Sequence, residues 1–292
     1  MSETNLSMDG KICMVTGANS GIGKVTALEL AKLGAIVVMV CRDRQRGEAA
    51  QYEIKQQSGN DNVDLLLADL SSQQSIQDLV ERFKARYDHL HVLVNNAGSV
   101  FLSRQLSVDG IEMTLAVNYL SVFLLTNLLL DTLKASAPAR IVIVSSISHY
   151  RGKIDLDDLQ MTKGYRLMRA YENTKLMGVL FTYALARRLE GTGVTANCLH
   201  PGTVATNIWS SPLKGFWRRL LGNPINLIAR RFGITPEEGA KTTLYLATSP
   251  EVEGVSGKYF DQCKARRSAR TSYHEELQER LWEASTKLTR LA

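Results

Sequence analysis

The sequence predicts an α/β domain built on a doubly wound parallel sheet, and three observations carry that expectation. Short apolar runs alternate with stretches of helical periodicity along most of the chain. The runs are apolar throughout, the pattern of strands buried on both faces, and such strands belong to parallel sheets covered by helices on either side. The first run passes through a glycine-rich turn directly into the first helical stretch, the place where such sheets bind ligands. With 292 residues and 45% hydrophobic content, the chain can bury a full core but is too short for two large enzyme domains. A single domain is therefore expected.

In order, strands are expected at Ile12 to Val15, Ile36 to Cys41, Val63 to Leu67, Val92 to Val94, Arg140 to Val144 and Val194 to Leu199. Helices are expected between them at Gly23 to Leu33, Arg44 to Gln57, Gln73 to Tyr87, Gly110 to Ala135 and Tyr165 to Glu190. Right-handed crossovers would wind these into one Rossmann-type sheet. The expected organisation is a polar tail over 1–10, a Rossmann-type domain over 11–262 and a C-terminal helical extension over 263–292. In that extension Leu277, Leu281, Trp282 and Leu288 stand near helical spacing, as for a helix that rests on the body of the fold.

Composition narrows the function. The net charge of +6 comes from 35 basic and 29 acidic residues interspersed along the chain, which describes a solvated surface and argues against nucleic acid as a partner. Cys13, Cys41, Cys198 and Cys263 are far apart, without metal-ligand spacing, and read as reduced thiols. The first ten residues lack the apolar core of a signal peptide, and no run reaches the ~18 apolar residues of a membrane span. A cytoplasmic protein is expected.

Residues for a dinucleotide line up at the strand ends. In Thr16-Gly17-Ala18-Asn19-Ser20-Gly21-Ile22-Gly23 the glycines permit a tight turn and a close backbone approach, while the helix N-terminus offers N–H groups to a pyrophosphate. Arg42 ends the second strand, where an NAD site would carry an acidic residue; a guanidinium suits a 2′-phosphate, so NADP(H) is the expected cofactor. The alternative for Arg42, with Asp43 next to it, is an ordinary surface residue. Asp69, followed by Leu70, can accept a hydrogen bond from the adenine amino group or cap a helix, although Ser71 or Ser72 would cap better. Asn95-Asn96-Ala97-Gly98 ends the fourth strand and suits a backbone running beside adenosine.

The chemistry is expected from Tyr171 and Lys175. Their i, i+4 spacing puts phenol and ammonium on one helix face, and a phenol with an unperturbed pKa of ~10 needs a nearby cation to act near neutrality. By itself the pair reads more readily as two residues of a solvated helix. Ser146, closing the fifth strand in Ile-Val-Ile-Val-Ser-Ser, can donate a hydrogen bond to a substrate carbonyl. Taken in order, T-G-x-x-x-G-x-G, N-N-A-G, Asn118, Ser146 and Tyr171-x-x-x-Lys175 resemble the short-chain dehydrogenase/reductase family over nearly the whole chain. Ser-Ser-Ile-Ser-His-Tyr-Arg-Gly, His200-Pro-Gly-Thr-Val and Gly254-Val-Ser-Gly-Lys-Tyr-Phe resemble most its retinol dehydrogenase branch.

That resemblance implies a tetrad. Tyr171 would be the general acid in reduction and the base in oxidation. Lys175 would bond the nicotinamide ribose and depress the tyrosine pKa, and Ser146 would orient the carbonyl. Asn118 would hold a water linking Lys175 to solvent; its alternative role is a satisfied helix amide. Pro201, Gly202 and Val204 would lie against the nicotinamide carboxamide, with Thr206 a further contact. The branch implies a lipophilic aldehyde or alcohol as substrate, and the family often forms dimers or tetramers through its two long helices, here Gly110 to Ala135 and Tyr165 to Glu190. The mixed apolar and basic stretch Ile208 to Phe232, in a lid segment over 207–235, suits a cover for such a substrate and contact with an anionic membrane surface. Two alternatives compete: a same-fold reductase of steroids or small ketones, and a dinucleotide-binding regulatory protein without catalysis, which would be expected to have lost Tyr171, Lys175 or Ser146.

Overall fold

A computed structural model describes residues 7–202 and 234–291. Its centre is an eight-stranded sheet of β1 (Ile12–Thr16), β2 (Ile36–Cys41), β3 (Val63–Leu67), β4 (Val92–Asn95), β5 (Ala139–Val144), β6 (Val194–Leu199), β7 (Tyr259–Asp261) and β8 (Lys264–Arg266). The order is β3-β2-β1-β4-β5-β6-β7-β8, parallel except for the antiparallel β7–β8 pair. From β1 the chain winds outward to β3, returns beside β1 as β4, and winds outward the other way. The carboxyl ends of β1 and β4 thus flank the point where the winding reverses, which is where doubly wound sheets open a ligand crevice.

The central strands bury both faces, so successive residues feed two cores. Met14, Leu93 and Ile141 point into one together with Phe123 and Phe181, while Cys13, Val15, Val94 and Val142 point into the other with Leu30 and Ile54. Helices α1 (Gly21–Lys32), α2 (Arg44–Ser58) and α3 (Gln73–Lys84) follow the first three strands. After β4 comes a helical stretch divided into α4 (Met113–Leu115), a π-helical segment (Ala116–Leu120), α5 (Ser121–Leu128) and α6 (Leu130–Ala135). The expected continuous helix from Gly110 starts later because buried Glu112 caps it, accepting from the N–H groups of Thr114 and Leu115 at 2.8 Å. Then follow α7 (Leu167–Arg188), α8 (Pro236–Thr248) and α9 (Glu275–Thr289).

Helix α9 seats on α7 and on the π-helical segment. Leu281 is buried, Trp282 stacks on Phe181 at 5.5 Å and meets Phe123 edge-on at 5.0 Å, and the Arg188 guanidinium lies 4.0 Å over the indole. Tyr119 and Ser285 share a hydrogen bond of 2.7 Å beneath it. Pairing through the two long helices therefore meets a face on which the chain has placed its own last helix. β8, Lys-Ala-Arg, is exposed along its whole length and closes the sheet with charge at its edge. No helix among the described residues is long and apolar enough to cross a membrane.

Candidate active site

The glycine turn leaves β1 through Gly17 at φ +68° and enters α1 at Gly21, φ +56°, both in the region that favours glycine. A Cβ on Gly23 would lie 2.4 Å from both Asn96 Nδ2 and the Gly17 carbonyl oxygen, so only a bare Cα lets the helix approach the turn so closely. Ser20 precedes α1 in extended conformation and its side chain makes no capping bond, which leaves the first N–H groups of the helix to a ligand anion. Asn19 and Ser20 are half-buried beside this turn, and Ile22 is buried under it.

Thr16 ties the turn to the end of β4, a role the sequence did not disclose. Its Oγ1 accepts from the N–H groups of Asn96 (2.9 Å) and Ala97 (3.0 Å), and its carbonyl accepts from Asn96 Nδ2 (2.8 Å). Asn96 thus braces the crevice, while buried Asn95 turns away and donates to Thr126 Oγ1 at 3.0 Å. At the end of β3, Asp69 accepts from the Ser71 N–H and hydroxyl, and Ser72 rather than Asp69 caps α3. Leu70 lies half-buried against the core. Arg42 is exposed and makes no salt bridge among the described residues, while the Asp43 carboxylate beside it accepts from the Arg46 N–H as the cap of α2. These residues fit a dinucleotide: a glycine-lined cradle for the pyrophosphate, a carboxylate at the third strand and an exposed guanidinium at the second.

The catalytic candidates converge where β5 and α7 meet that crevice. Ser146 follows β5; its hydroxyl accepts from the Ser148 N–H at 3.2 Å and lies near enough to the Tyr171 phenol to act on its pKa. Lys175 is buried, 5% exposed as a residue, and its ammonium lies 5.6 Å from the Tyr171 ring centroid. A Cβ on Gly98 would be 3.4 Å from Lys175 Nζ and 3.5 Å from Asn118 Oδ1, so the N-N-A-G segment, Asn118 and Lys175 crowd one point. Asn118 sits in the π-helical segment and is a satisfied amide: Oδ1 accepts from the Ser99 N–H at 2.7 Å, and Nδ2 donates to the Ser99 carbonyl at 2.9 Å.

Electrostatics differ from the expectation in one respect. Burial raises the Tyr171 phenol above its ordinary value, with the Ser146 hydroxyl opposing the rise, and the expected depression by Lys175 is not what this arrangement produces. The ammonium donates instead to the Val144 carbonyl at 3.0 Å, and its own pKa is lowered by burial to about 8. Pro201 and Gly202 follow β6, Gly202 at φ +81°. Val204, Thr206 and the stretch Ile208 to Phe232 lie outside the described residues. Two further residues escaped sequence reasoning. Ser145 donates to the Lys175 carbonyl at 2.8 Å, and the ring of fully buried His149 bonds the carbonyl of Ser146 at 2.7 Å. Their signal in the sequence was adjacency to Ser146.

Over residues 11–214 the chain matches the family model of the short chain dehydrogenases. The chain belongs to this family. Retinol dehydrogenase 14 of Mus musculus is 44% identical over 95% of the chain and 85% of its own length, and retinol dehydrogenase 12 of Homo sapiens is 45% identical over 98% and 88%. This short chain dehydrogenase is therefore an oxidoreductase of the retinol dehydrogenase branch, a family that works with nicotinamide dinucleotides. Among solved structures, an uncharacterised protein of Mycobacterium paratuberculosis superposes with a TM-score of 0.76 at 32% identity, over 97% of this chain and 95% of that one. The RhlG/NADP active-site complex of Pseudomonas aeruginosa superposes with a TM-score of 0.68 at 25% identity, over 89% and 97%.

Proposed function

We propose that this short chain dehydrogenase interconverts a lipophilic carbonyl compound, of the retinal or medium- to long-chain aldehyde class, with its alcohol, using NADP(H). The observation that carries the reading is the meeting of Ser146, Tyr171 and Lys175 beside the glycine turn. The nicotinamide, when bound, supplies or accepts the hydride. Gly17, Asn19, Ser20, Gly21, Ile22 and Gly23 take the pyrophosphate, Asp69, Leu70, Asn96, Ala97 and Gly98 the adenosine, and Pro201, Gly202, Val204 and Thr206 the nicotinamide end. Tyr171, held protonated by burial, gives its proton to the carbonyl oxygen in reduction and receives it in oxidation. Ser146 donates a hydrogen bond to the same oxygen. Lys175, poised at about 8, replaces the tyrosine proton through a water held near Asn118.

Arg42 reads the 2′-phosphate: it is exposed and without a salt bridge among the described residues, and its acidic neighbour is engaged as a helix cap. Exposed apolar side chains near the site residues in sequence support a lipophilic substrate. Leu102 is 62% exposed, Ile147 54% and Met168 39%, and they stand close in sequence to Gly98, Ser146 and Tyr171. The same chemistry, with the basic and aromatic stretch after Thr206, supports a cytoplasmic enzyme that touches membranes peripherally. The test is reduced-cofactor consumption with all-trans-retinal, nonanal, a steroid ketone and a small polar ketone, with NADPH and NADH side by side. Turnover confined to the lipophilic aldehydes with NADPH is expected. Preference for the polar ketone would refute the substrate class, and preference for NADH would refute the role of Arg42.

A further inference from the structure

Ser146 is held by more than its own strand. Its carbonyl accepts two hydrogen bonds from one residue, from the His149 backbone N–H at 3.0 Å and from His149 Nδ1 at 2.7 Å. The far side of the same ring, Nε2, accepts from the backbone N–H of Ala269 at 3.1 Å, across 120 residues of sequence. A carbonyl can only accept and an amide N–H can only donate, so both contacts are satisfied by a single form of the ring: neutral, with the proton on Nδ1. The ring is fully buried and lies between two phenols, Tyr150 at 4.1 Å and Tyr259 at 4.7 Å between centroids. Burial holds its pKa down at about 4, with buried His200 adding to the effect, so the neutral form persists near neutrality.

The contact leads back to the catalytic helix. Ser268, next to Ala269, shares a 2.6 Å hydrogen bond with Tyr183 of α7, and the Ala269 carbonyl accepts from the Ser272 hydroxyl at 2.6 Å. Tyr150 donates to the Arg267 carbonyl at 2.5 Å. Ser146, His149, Ala269, Ser268 and Tyr183 thus form a chain of contacts between the segment that carries the serine and the helix that carries Tyr171 and Lys175.

We infer that His149 is a positioning residue of the active site: its Nδ1–H form clamps Ser146 to the segment around Ala269 and thereby sets the serine hydroxyl against Tyr171. The inference rests on the oxidoreductase reading above for its kinetic consequence, whereas the clamp itself is a property of the fold. A hydroxyl set out of line by the loss of the clamp would lower the chemical rate and leave the pyrophosphate and adenosine ends of the dinucleotide site, at the ends of β1 to β4, intact.

Three substitutions separate the two ends of the ring. His149→Phe keeps the stacking and removes both bonds, His149→Asn keeps a donor at the Ser146 end, and His149→Gln keeps an acceptor at the Ala269 end. With the best aldehyde of the panel, the Phe and Gln variants are expected to lose about ten- to a hundred-fold in kcat. The Asn variant is expected to recover most of that loss, with NADPH affinity and the aldehyde KM within about two-fold of wild type throughout. A Phe variant at wild-type kcat, or three variants equally impaired, would overturn the clamp. Nitrogen-15 NMR of the wild-type ring and amide exchange at Ala269 provide the arm that needs no substrate. A proton on Nδ1 with a protected Ala269 amide is expected; a proton on Nε2, or a freely exchanging amide, overturns the inference. If the wild type turns over no aldehyde, the proposed function fails by itself, and this second arm still decides the clamp.

Discussion

Replacing Lys175 by Met should make the cofactor-free protein more stable while removing its activity. The residue is 5% exposed and its pKa falls from the ordinary 10.5 to about 8 because burial penalises the charged form. That fall corresponds to about 3 kcal/mol of folding free energy at neutral pH, from which the lost hydrogen bond to the Val144 carbonyl removes about 1 kcal/mol. Methionine has similar length and no charge, so a net gain of about 2 kcal/mol is expected at pH 7. The sign of the pH dependence follows from the direction of the shift. Below about 8 both folded and unfolded chains hold the proton and the cost is fully present; between about 8 and 10.5 the unfolded chain keeps it while the folded chain releases it, so wild-type stability rises with pH. Urea unfolding of both proteins, followed by circular dichroism at several pH values from neutral to strongly basic, measures the gap. It should be widest at neutral pH and close towards 10.5. A variant less stable than wild type at pH 7, or a gap that does not change with pH, would refute the argument. The wild-type lysine then appears as a residue kept at the expense of stability for what it does in turnover.

Tyr171→Phe should abolish turnover of the aldehyde while NADPH still binds, as read by fluorescence titration; a variant near wild-type rate would remove Tyr171 from the chemistry. Arg42→Asp should move the ratio of kcat/KM values towards NADH by about ten-fold or more, since it replaces a phosphate partner with a ribose partner. Trp282→Ala should cost about 2 kcal/mol in urea unfolding, because the indole is only half-buried but fills the space between Phe123, Phe181 and Arg188. On acidification, the unfolded chain takes up a proton on His149 near 6.5 and the folded chain resists it down to about 4, so stability present near neutrality is lost as pH falls through that window, by about 3 kcal/mol near pH 4. Tyr150, Tyr259 and His200 are the titratable groups facing the ring, and His200 shifts in the same direction. The difference between wild type and His149→Phe isolates the effect, and parallel curves for the two would contradict it.

What could be read from the sequence was what depends on neighbours in the chain. The six long strands declared themselves through continuous apolar runs, the glycine turn through its place between strand and helix, and Tyr171 with Lys175 through helical spacing. Strands β7 and β8 did not, since three residues are too few to show a period and Lys-Ala-Arg buries nothing. Helix α8 carried a readable start in Thr235-Pro236-Glu237-Glu238, a capping pattern confirmed by the Glu238 N–H donating to Thr235 Oγ1 at 3.2 Å, but lay past the last element expected from periodicity. The Thr16 latch and the His149 clamp join residues 80 and 120 positions apart, and no local pattern announces such pairs. The π-helical segment around Asn118 is likewise set by what it packs against.

The seat of α9 also bears on how the protein is made. Synthesis runs from the N-terminus, so Phe123 and Phe181 emerge long before Trp282 and Leu281 exist to cover them, and Ser146 emerges long before Ala269. A chain still attached to the ribosome thus presents an open aromatic face and an unfastened catalytic segment, and both are closed by the same final stretch. A truncation ahead of Ala269 therefore leaves both open, whereas one that removes only Glu275–Thr289 uncovers the aromatic face alone; a product with such an exposed face is the kind that chaperones and proteases remove.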